Sequence, residues 1–350
     1  CSSDLIGTST NGLYTYNMAS KAFSEFNCQL NNSPFPKINI NIQCLTTDKK
    51  GNTWFVYNKS GLHKINNNNI VKPVSSPNQK KVPTYIINTL KTDHLENIWM
   101  ASQCGFEVYN PTNNSFKLLP TYMNKPMSNK FNQYIHTIAS TREPISSILK
   151  VGDALNLEKK FTIPEAQKVL VICVGEGTVS KGGLYDTGSL FTTGGNLIWS
   201  MNEIFETFNN GGGFANRIGI KCFDLPKGDY KITFSSDVGH AYGNWNFEPP
   251  PDSVWYGIQV LKINDDEFTR ITELNNSEIN SANFMMMGNG TCIEFSKKQE
   301  NVVWLGSLRN GFFKYNQATG SFEQFVLEPN DRFSPINEIN CLFEIGRAHV

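Results

Sequence analysis

The chain has 350 residues, of which 39% are hydrophobic and 18% charged, and its 31 basic and 31 acidic side chains cancel to a formal net charge of zero. This length predicts two structural units or one large repetitive unit, and the apolar content argues against wholesale disorder. The neutral balance excludes a general nucleic-acid-binding surface, because there is no basic field to release phosphate counterions. The longest apolar runs, such as 169–174, are far shorter than the roughly 20 residues of a membrane span, so none is expected in this segment.

Both ends of the chain look processed or foreign. Cys1 opens into strand-like sequence without an initiator Met, which predicts a truncated N-terminus; the alternative is a lipidated mature Cys1, since Cys-Ser-Ser resembles the start of a bacterial lipoprotein. At the other end, residues 346–350 depart from the pattern before them and are a candidate non-native tail.

A repeated pair of short segments is the most informative feature of the sequence. The paired segments are 5–8 with 11–16, 53–56 with 60–65, 98–101 with 104–109, and 303–306 with 310–315. The residues that recur in them are Trp54, Trp99 and Trp304 in the first segments, and Gly12, Gly61, Gly105 and Gly311 in the second. A repeat of 40 to 50 residues is typical of stacked architectures.

Each repeat predicts four short strands, which the second copy shows at 42–47, 52–57, 62–66 and 70–74. Its turns begin with Asp48 and Asn58 and reach Gly51 and Gly61, which is the residue chemistry of tight turns. A four-stranded unit of this size cannot bury both faces alone, and radial stacking of such units gives a β-propeller. We therefore predict propeller blades, with the repeated Trp packed between them.

The repeats resemble the two-component regulator propeller family, most plainly at 48–54 (DKKGNTW) and 7–14 (GTSTNGLY), over about 1–140 and 286–345. Glu96 and Cys104 depart from its usual turn residues, Gly and Asn. The resemblance implies a non-enzymatic extracytoplasmic sensor on the periplasmic or extracellular side. It also implies a candidate homodimer through the full-length sensor, and a histidine kinase region elsewhere in the full-length protein.

A long segment without the repeat interrupts the blades, since 45 residues separate Trp54 from Trp99 but 205 separate Trp99 from Trp304. We expect blades over 1–141 with the first one truncated, an inserted domain over 142–285, and a resumed blade and the start of the next over 286–345. Residues 134–138 are predicted to be the first strand of a blade. The alternative is a run of three degenerate blades.

The inserted domain reads as an all-β, jelly-roll-like sandwich. Its predicted strands are 168–174, 217–223, 229–235 and 255–263, and 202–209 is a candidate short helix. The complete fold class is thus an all-β partial propeller of four-stranded blades interrupted by a β-sandwich.

No sequence motif supports catalysis, a metal site or a cofactor. The five histidines match no HExxH or related pattern, and no CxxC pair is present. Glu176 and Asp186 offer the two carboxyl groups that a sugar-cleaving enzyme would need, and the alternative is that both are surface carboxylates.

One loop of the insertion, 237–256, concentrates aromatic, amide and acidic side chains. Aromatic faces stack on sugars or apolar ligands while polar side chains supply directional hydrogen bonds. The predicted ligand-binding residues are Asp237, His240, Tyr242, Asn244, Trp245, Asp252, Trp255 and Tyr256. The alternative is a loop that folds back and packs its rings over an open end of the sandwich.

The sequence therefore predicts a sensor or ligand-binding module for a glycan or small molecule, with no nucleic acid partner. A glycan-processing propeller enzyme and a purely structural interaction scaffold are the alternatives.

Overall fold

The computed structural model describes residues 3–36, 38–58, 60–74, 86–178, 183–246, 248–281, 284–285, 287, 289–308, 310–328 and 337–344. Cys1 and the tail 346–350 lie outside these residues. The chain divides into two compact units, one formed by Cys1–Leu119 with Met287–Val350 and the other by Pro120–Met286. The second unit thus begins upstream of residue 142, where the sequence suggested that the insertion starts.

Strands dominate both units. The first unit contains β1 (Ser3–Gly7), β2 (Leu13–Asn17), β3 (Ala22–Glu25), β4 (Gln29–Leu30), β5 (Ser33–Pro34), β6 (Ile42–Thr47), β7 (Thr53–Tyr57), β8 (Leu62–Ile65), β9 (Ile70–Pro73), β10 (Ile87–Thr92), β11 (Ile98–Ser102), β12 (Gly105–Asn110) and β13 (Ser115–Leu118). The second unit contains α1 (Asn129–Thr141), β14 (Ser146–Leu149), β15 (Asn156–Ile163), β16 (Gln167–Thr178), β17 (Gly183–Thr192), β18 (Leu197–Ser200), β19 (Thr207–Asn209), β20 (Asn216–Leu225), β21 (Gly228–Ser235), β22 (His240–Ala241), β23 (Asn244–Trp245), β24 (Gly257–Lys262) and α2 (Asp265–Ile279). The chain then returns to the first unit with β25 (Gly290–Phe295), β26 (Val302–Ser307), β27 (Phe312–Asn316) and β28 (Phe322–Phe325).

The first unit consists of antiparallel blades. Blade 1 is β1-β2-β3, blade 2 is β6 to β9 with β4 and β5 added at its outer edge, blade 3 is β10 to β13, and blade 4 is β25 to β28. Blades 2, 3 and 4 share a register shift at the same place in their first strand, at Ile42/Cys44, Ile87/Thr89 and Gly290/Cys292. The sequence repeat is therefore a structural repeat.

The recurring glycine has a conformational cause. Gly12, Gly61, Gly105 and Gly311 have φ angles of 74°, 79°, 102° and 73°. Other residues rarely adopt positive φ, so the turns that lead into β2, β8, β12 and β27 favour glycine.

The recurring tryptophan packs between blades. The ring of Trp54 lies 5.6 Å from that of Tyr109 in the next blade, and the ring of Trp99 lies 6.2 Å from that of Tyr315 in blade 4. Blade 3 contacts blade 4 directly, since Asn88 Nδ2 donates a hydrogen bond of 2.8 Å to the carbonyl of Gly290. The insertion therefore leaves blade stacking intact, and the predicted interrupted propeller is confirmed.

The second unit has two antiparallel layers. One contains β14, β24, β16, β20 and β19, and the other contains β15, β21, β17 and β18. Buried side chains such as Val171, Ile232 and Ile258 form the core of this unit. The four strands expected from the sequence are present as β16, β20, β21 and β24.

Two helices in the second unit were not predicted. Residues 134–138 were expected to be a strand but lie inside α1, whose N-cap Ser128 accepts a hydrogen bond from the Phe131 amide. Phe131, Ile135 and Ile138 are the buried residues of this helix, at the spacing of one helical face. Helix α2 starts with a capping box formed by Asn264 and Glu267.

The short helix expected at 202–209 is shorter than predicted. A single 3₁₀ turn covers Ile204–Glu206, and β19 follows at once. The Thr207 amide closes that turn by donating to the Ile204 carbonyl, and pairing of β19 with β20 then requires extended backbone.

Candidate functional site

A corner in the second unit brings two carboxyl groups together. Strand β17 pairs with β16 as far as Asp186, and from Thr187 onward it pairs with β21 in the other layer. At this corner Glu176 is the direct cross-strand partner of Asp186. Gly175 permits the close approach, because a Cβ there would lie 2.0 Å from the carbonyl oxygen of Asp186.

Asp186 is fully buried and holds the loop above it. Its Oδ1 accepts a hydrogen bond of 2.8 Å from the amide of Asp237, and its Oδ2 accepts one of 2.5 Å from the Tyr256 hydroxyl. Burial raises the pKa of Asp186 to about 6, although these two hydrogen bonds act in the opposite direction. Asp186 is therefore mostly ionised at pH 7, and both of its oxygens are engaged.

At neutral pH, Glu176 is in the opposite protonation state to Asp186. It is 7% exposed, and its Oε2 has no hydrogen-bond partner among the residues that the structure describes. Burial, and then the negative charges of Asp186, Asp237 and Asp153, raise the pKa of Glu176 to about 8. The carboxyl group is therefore mostly protonated at pH 7. The alternative hypothesis that Glu176 and Asp186 are surface carboxylates is therefore wrong, because both side chains are buried.

His240 lies beside this pair and is also buried. Its Nε2 lies 2.8 Å from Oδ1 of Asn216 and 3.8 Å from Oε2 of Glu176. The amide nitrogen of Asn216 donates to the carbonyls of Gly211 and Glu248, so its oxygen faces the imidazole, and Nδ1 of the ring lies 2.8 Å from Oδ1 of Asn246. Burial lowers the pKa of His240, which favours the neutral ring.

Four of the predicted ligand residues meet at this buried cluster. Asp237 contributes its amide, Tyr256 its hydroxyl and His240 its ring. Trp245 packs edge-to-face on two of them, at 4.9 Å from the ring of His240 and 5.1 Å from that of Tyr256. These aromatic groups therefore take part in the packing of the unit.

Two other predicted residues, Asp252 and Trp255, form a separate cluster with His136 of α1. Nε2 of His136 lies 3.1 Å from Oδ1 of Asp252, and its ring centroid lies 4.6 Å from that of Trp255. Burial raises the pKa of Asp252, and the neighbouring His136 partly offsets that effect. His136 was assigned to a blade strand from the sequence, so this contact was not foreseen.

The remaining two predicted residues lie at the hairpin of β22 and β23. Tyr242 is half-buried with the ammonium group of Lys150 6.0 Å from its ring centroid, and Asn244 is exposed and donates to Asp153. The side chain of Asp237 is also exposed. We call the surface formed by Asp237, Tyr242 and Asn244 the hairpin rim.

The sequence did not indicate that Asn216 contacts His240 or that Glu176 is buried. The available signal was the Gly-Glu-Gly triplet at 175–177, because glycines on both sides of an acid in a strand indicate close backbone approach.

In the part of the chain that the structure describes, no three His, Cys, Asp or Glu side chains are placed to hold a metal ion. No helix there is long and apolar enough to span a membrane.

No protein-family model and no curated protein matches this sequence. Among solved structures, the extracellular domain of the putative one-component system BT4673 from B. thetaiotaomicron aligns with 94% of this chain and 29% of its own, at 12% identity and a TM-score of 0.30. PorZ, a surface component of the type-IX secretion system of Porphyromonas gingivalis, aligns over 66% of this chain and 36% of its own, at 13% identity and a TM-score of 0.27. An exo-β-1,3-galactanase from Phanerochaete chrysosporium aligns over 72% of this chain and 62% of its own, at 8% identity and a TM-score of 0.26. The chain thus spans about 29% of the first of these proteins, and similarities at this level identify no ligand, reaction or partner.

Proposed function

We propose that this chain is the ligand-recognising part of a sensor of the two-component regulator propeller type, located on the periplasmic or extracellular side and without catalytic activity. The observation that carries the proposal is the use of the family-like motif at 48–54. Oδ2 of Asp48 accepts hydrogen bonds from the side chains of Asn52 and Trp54, at 2.8 and 3.0 Å. The residues that carry the resemblance thus build the blade.

The hairpin rim is the candidate binding surface. Within the segment 237–244, Asp237 and Asn244 are exposed, Tyr242 is half-buried, and Val238 is 77% exposed. An aromatic ring, a carboxylate and an amide on one short surface segment suit a sugar, whose ring stacks while its hydroxyls form hydrogen bonds. We therefore propose a glycan as the ligand class.

The state of the buried acids supports binding without turnover. A glycosidase needs one carboxyl group as proton donor and a second that reaches the sugar or a water. Glu176 is protonated at neutral pH, but both oxygens of Asp186 are bonded to the loop that covers them. A sugar could reach Asp186 only if the Asp237 amide and the Tyr256 hydroxyl moved away.

The test is a titration of the purified chain with a panel of oligosaccharides by calorimetry, together with chromatography for products. We expect binding without turnover. The changes Asp237→Ala and Asn244→Ala should each weaken binding by about tenfold, the scale of one lost polar contact to a ligand.

Asn196→Ala is the matched control, because Asn196 is an exposed amide in the β17–β18 turn. Product formation that Glu176→Gln abolishes would replace the sensor by the glycan-processing enzyme. Absence of binding to every oligosaccharide, or equal weakening by the control, would remove the glycan site at the hairpin rim.

A further inference from the structure

The outer edge of β20, in the second unit, is paired with another strand over only part of its length. Strand β16 pairs with β20 over 216–225 on one side, whereas β19 pairs with it on the other side only over 217–219. In the part of the chain that the structure describes, no strand continues this second edge beyond Gly219. Residues 221–223 are half-buried and Asp224 is exposed. The second half of this edge is therefore not covered by a strand.

The main-chain groups on this edge belong to alternate residues. Nδ2 of Asn275 in α2 donates a hydrogen bond of 3.2 Å to the carbonyl of Ile220, so Ile220 directs its main chain away from β16. Along an antiparallel strand both main-chain groups of one residue face the same neighbour, and those of the next residue face the other. Cys222 and Asp224 therefore also direct their N–H and C=O groups outward. Among the described residues, no main-chain hydrogen bond reaches these four groups from outside the sheet.

A cavity of about 80 Å³ lies between this edge and α2, and Asn275, Thr272 and Cys222 are among the residues that line it. Asn275 is 5% exposed, and its Oδ1 has no hydrogen-bond partner among the described residues. Because Nδ2 is bound to the Ile220 carbonyl, Oδ1 is the amide atom that remains for an occupant of the cavity. A buried acceptor without a donor costs about 1 to 3 kcal/mol, so the cavity favours an occupant that donates a hydrogen bond.

The size and the charge of the cavity limit what it can accept. Its volume is about half of the roughly 150 Å³ that holds a benzene molecule, so a side chain of a few atoms fits and an aromatic ring does not. Lys221 also lines the cavity and disfavours an ammonium group, and a carboxylate has no hydrogen to donate to Oδ1 of Asn275. Burial raises the pKa of Cys222 to about 12, so its thiol stays protonated and is a poor nucleophile. The group that fits is a short neutral donor, which means a hydroxyl or a carboxamide.

We propose that the edge of β20 at 220–224 and the adjoining cavity form a binding site for an extended peptide segment of a partner protein. The main chain of the peptide adds to β20 and bonds to Cys222 and Asp224, because an extended peptide supplies donors and acceptors at the spacing of a strand. One Ser, Thr or Asn side chain of the peptide enters the cavity and donates to Oδ1 of Asn275. The site shares no residue with the hairpin rim and does not depend on the proposed glycan.

The test is hydrogen–deuterium exchange of the whole chain, measured by mass spectrometry with increasing concentrations of the capped pentapeptide Thr-Val-Ser-Val-Thr. We expect slower exchange at 220–225, because the peptide carbonyls accept from the outward amides of Cys222 and Asp224. The concentration dependence of this protection gives the Kd. The same peptide with Ala in place of Ser should bind about tenfold more weakly, the scale of one lost hydrogen bond.

Two variants of the chain test the edge and the cavity separately. Cys222→Pro removes an outward N–H without removing a hydrogen bond to β16, and it should weaken peptide binding by about tenfold. Asn275→Leu removes the acceptor in the cavity and should have an effect of the same size; if it disturbs the packing of α2, Cys222→Pro still decides. Cys222→Ala retains the N–H, and Glu273→Gln changes an exposed residue of α2, so both controls should bind like the parent chain.

The outcomes distinguish a peptide site from a cavity that holds water alone. Protection of β20 that is weakened by the Ala peptide, by Cys222→Pro and by Asn275→Leu would support the proposal. Absence of protection at every peptide concentration would overturn it. Equal binding of the Ser and Ala peptides would also overturn it, because the cavity would then take no part in recognition.

Discussion

Glu176 and Asp186 are direct cross-strand partners at the corner where β17 passes from one layer of the second unit to the other. Their environments separate their charge states, since burial and neighbouring acids raise the pKa of Glu176 to about 8 while that of Asp186 rises to about 6. At pH 7 the pair therefore carries mainly one negative charge, on the residue that the Asp237 amide and the Tyr256 hydroxyl stabilise.

This pair makes the stability of the second unit depend on pH. The pKa of Glu176 is higher in the folded chain, at about 8, than its ordinary value of 4.5, so folding favours the protonated form. Its contribution is complete below pH 4.5 and is lost as the pH rises toward 8, with a slope of at most about 1.4 kcal/mol per pH unit. Asp186 adds an effect of the same sign, but only below about pH 6.

We predict that Glu176→Gln removes most of the decrease in unfolding free energy between pH 6 and pH 8, because an amide cannot ionise. Urea unfolding of the second unit at several pH values in this range measures it. Glu165→Gln, at an exposed position, is the control and should retain the slope of the parent chain. Parallel curves for Glu176→Gln and the parent chain would show that Glu176 is not protonated in the folded state.

The corner itself depends on Gly175. A methyl group there would lie 2.0 Å from the carbonyl oxygen of Asp186, which is main chain and cannot move without separating β16 from β17. We expect Gly175→Ala to destabilise the second unit by about 3 kcal/mol, at the upper end of overpacking effects. Calorimetric melting should show a lower transition temperature for this unit only.

Gly194→Ala provides the comparison, because the nearest atom to a Cβ at Gly194 is the Thr192 hydroxyl oxygen, at 3.7 Å. Equal melting temperatures for the two variants would mean that the strands at the corner are farther apart than described.

The repeated Asp of the blades is expected to contribute to the stability of the first unit. Asp93 is 4% exposed and its Oδ2 accepts hydrogen bonds from the side chains of Asn97 and Trp99, at 2.9 and 3.0 Å. Oδ1 of Asp93 accepts hydrogen bonds from the main-chain amides of Leu95 and Asn97, so in Asp93→Asn the amide NH₂ faces two donors in either orientation. We therefore predict a loss of about 2 to 3 kcal/mol.

Hydrogen–deuterium exchange of β10 to β13 measures this loss as faster exchange in blade 3. Asp4→Asn, at an exposed position of blade 1, should leave the exchange unchanged. If Asp93→Asn also left it unchanged, the Asp–Trp bond would be dispensable to the blade.

The blades could be predicted because their signals are local. A turn that requires a positive φ selects glycine at Gly61 and Gly105, and a strand of a stacked sheet selects a large ring at Trp54 and Trp99. Helix α1 was misread because its apolar residues, including Ile135 and Ile138, lie among others that suggested a strand, although their spacing also fits one helical face.

The candidate site was only partly predictable. Composition identified the loop residues, but it does not indicate which of their side chains are buried. Trp245 and Tyr256 lie against His240, whereas Asp252 and Trp255 lie with His136 on α1. Asp252 and Trp255 lie 116 and 119 residues after His136 along the chain, so only folding brings them into contact with it.

The amino-acid order alone determined that this is an interrupted series of blades, because turn geometry and blade packing impose the same residues at each recurrence. Only the tertiary structure decided the charge of Glu176 and Asp186 and the burial of His240. Protonation depends on desolvation and on charges that distant strands bring close, and accessibility depends on which sheet packs on which. Neither quantity is a property of a residue and its neighbours in sequence.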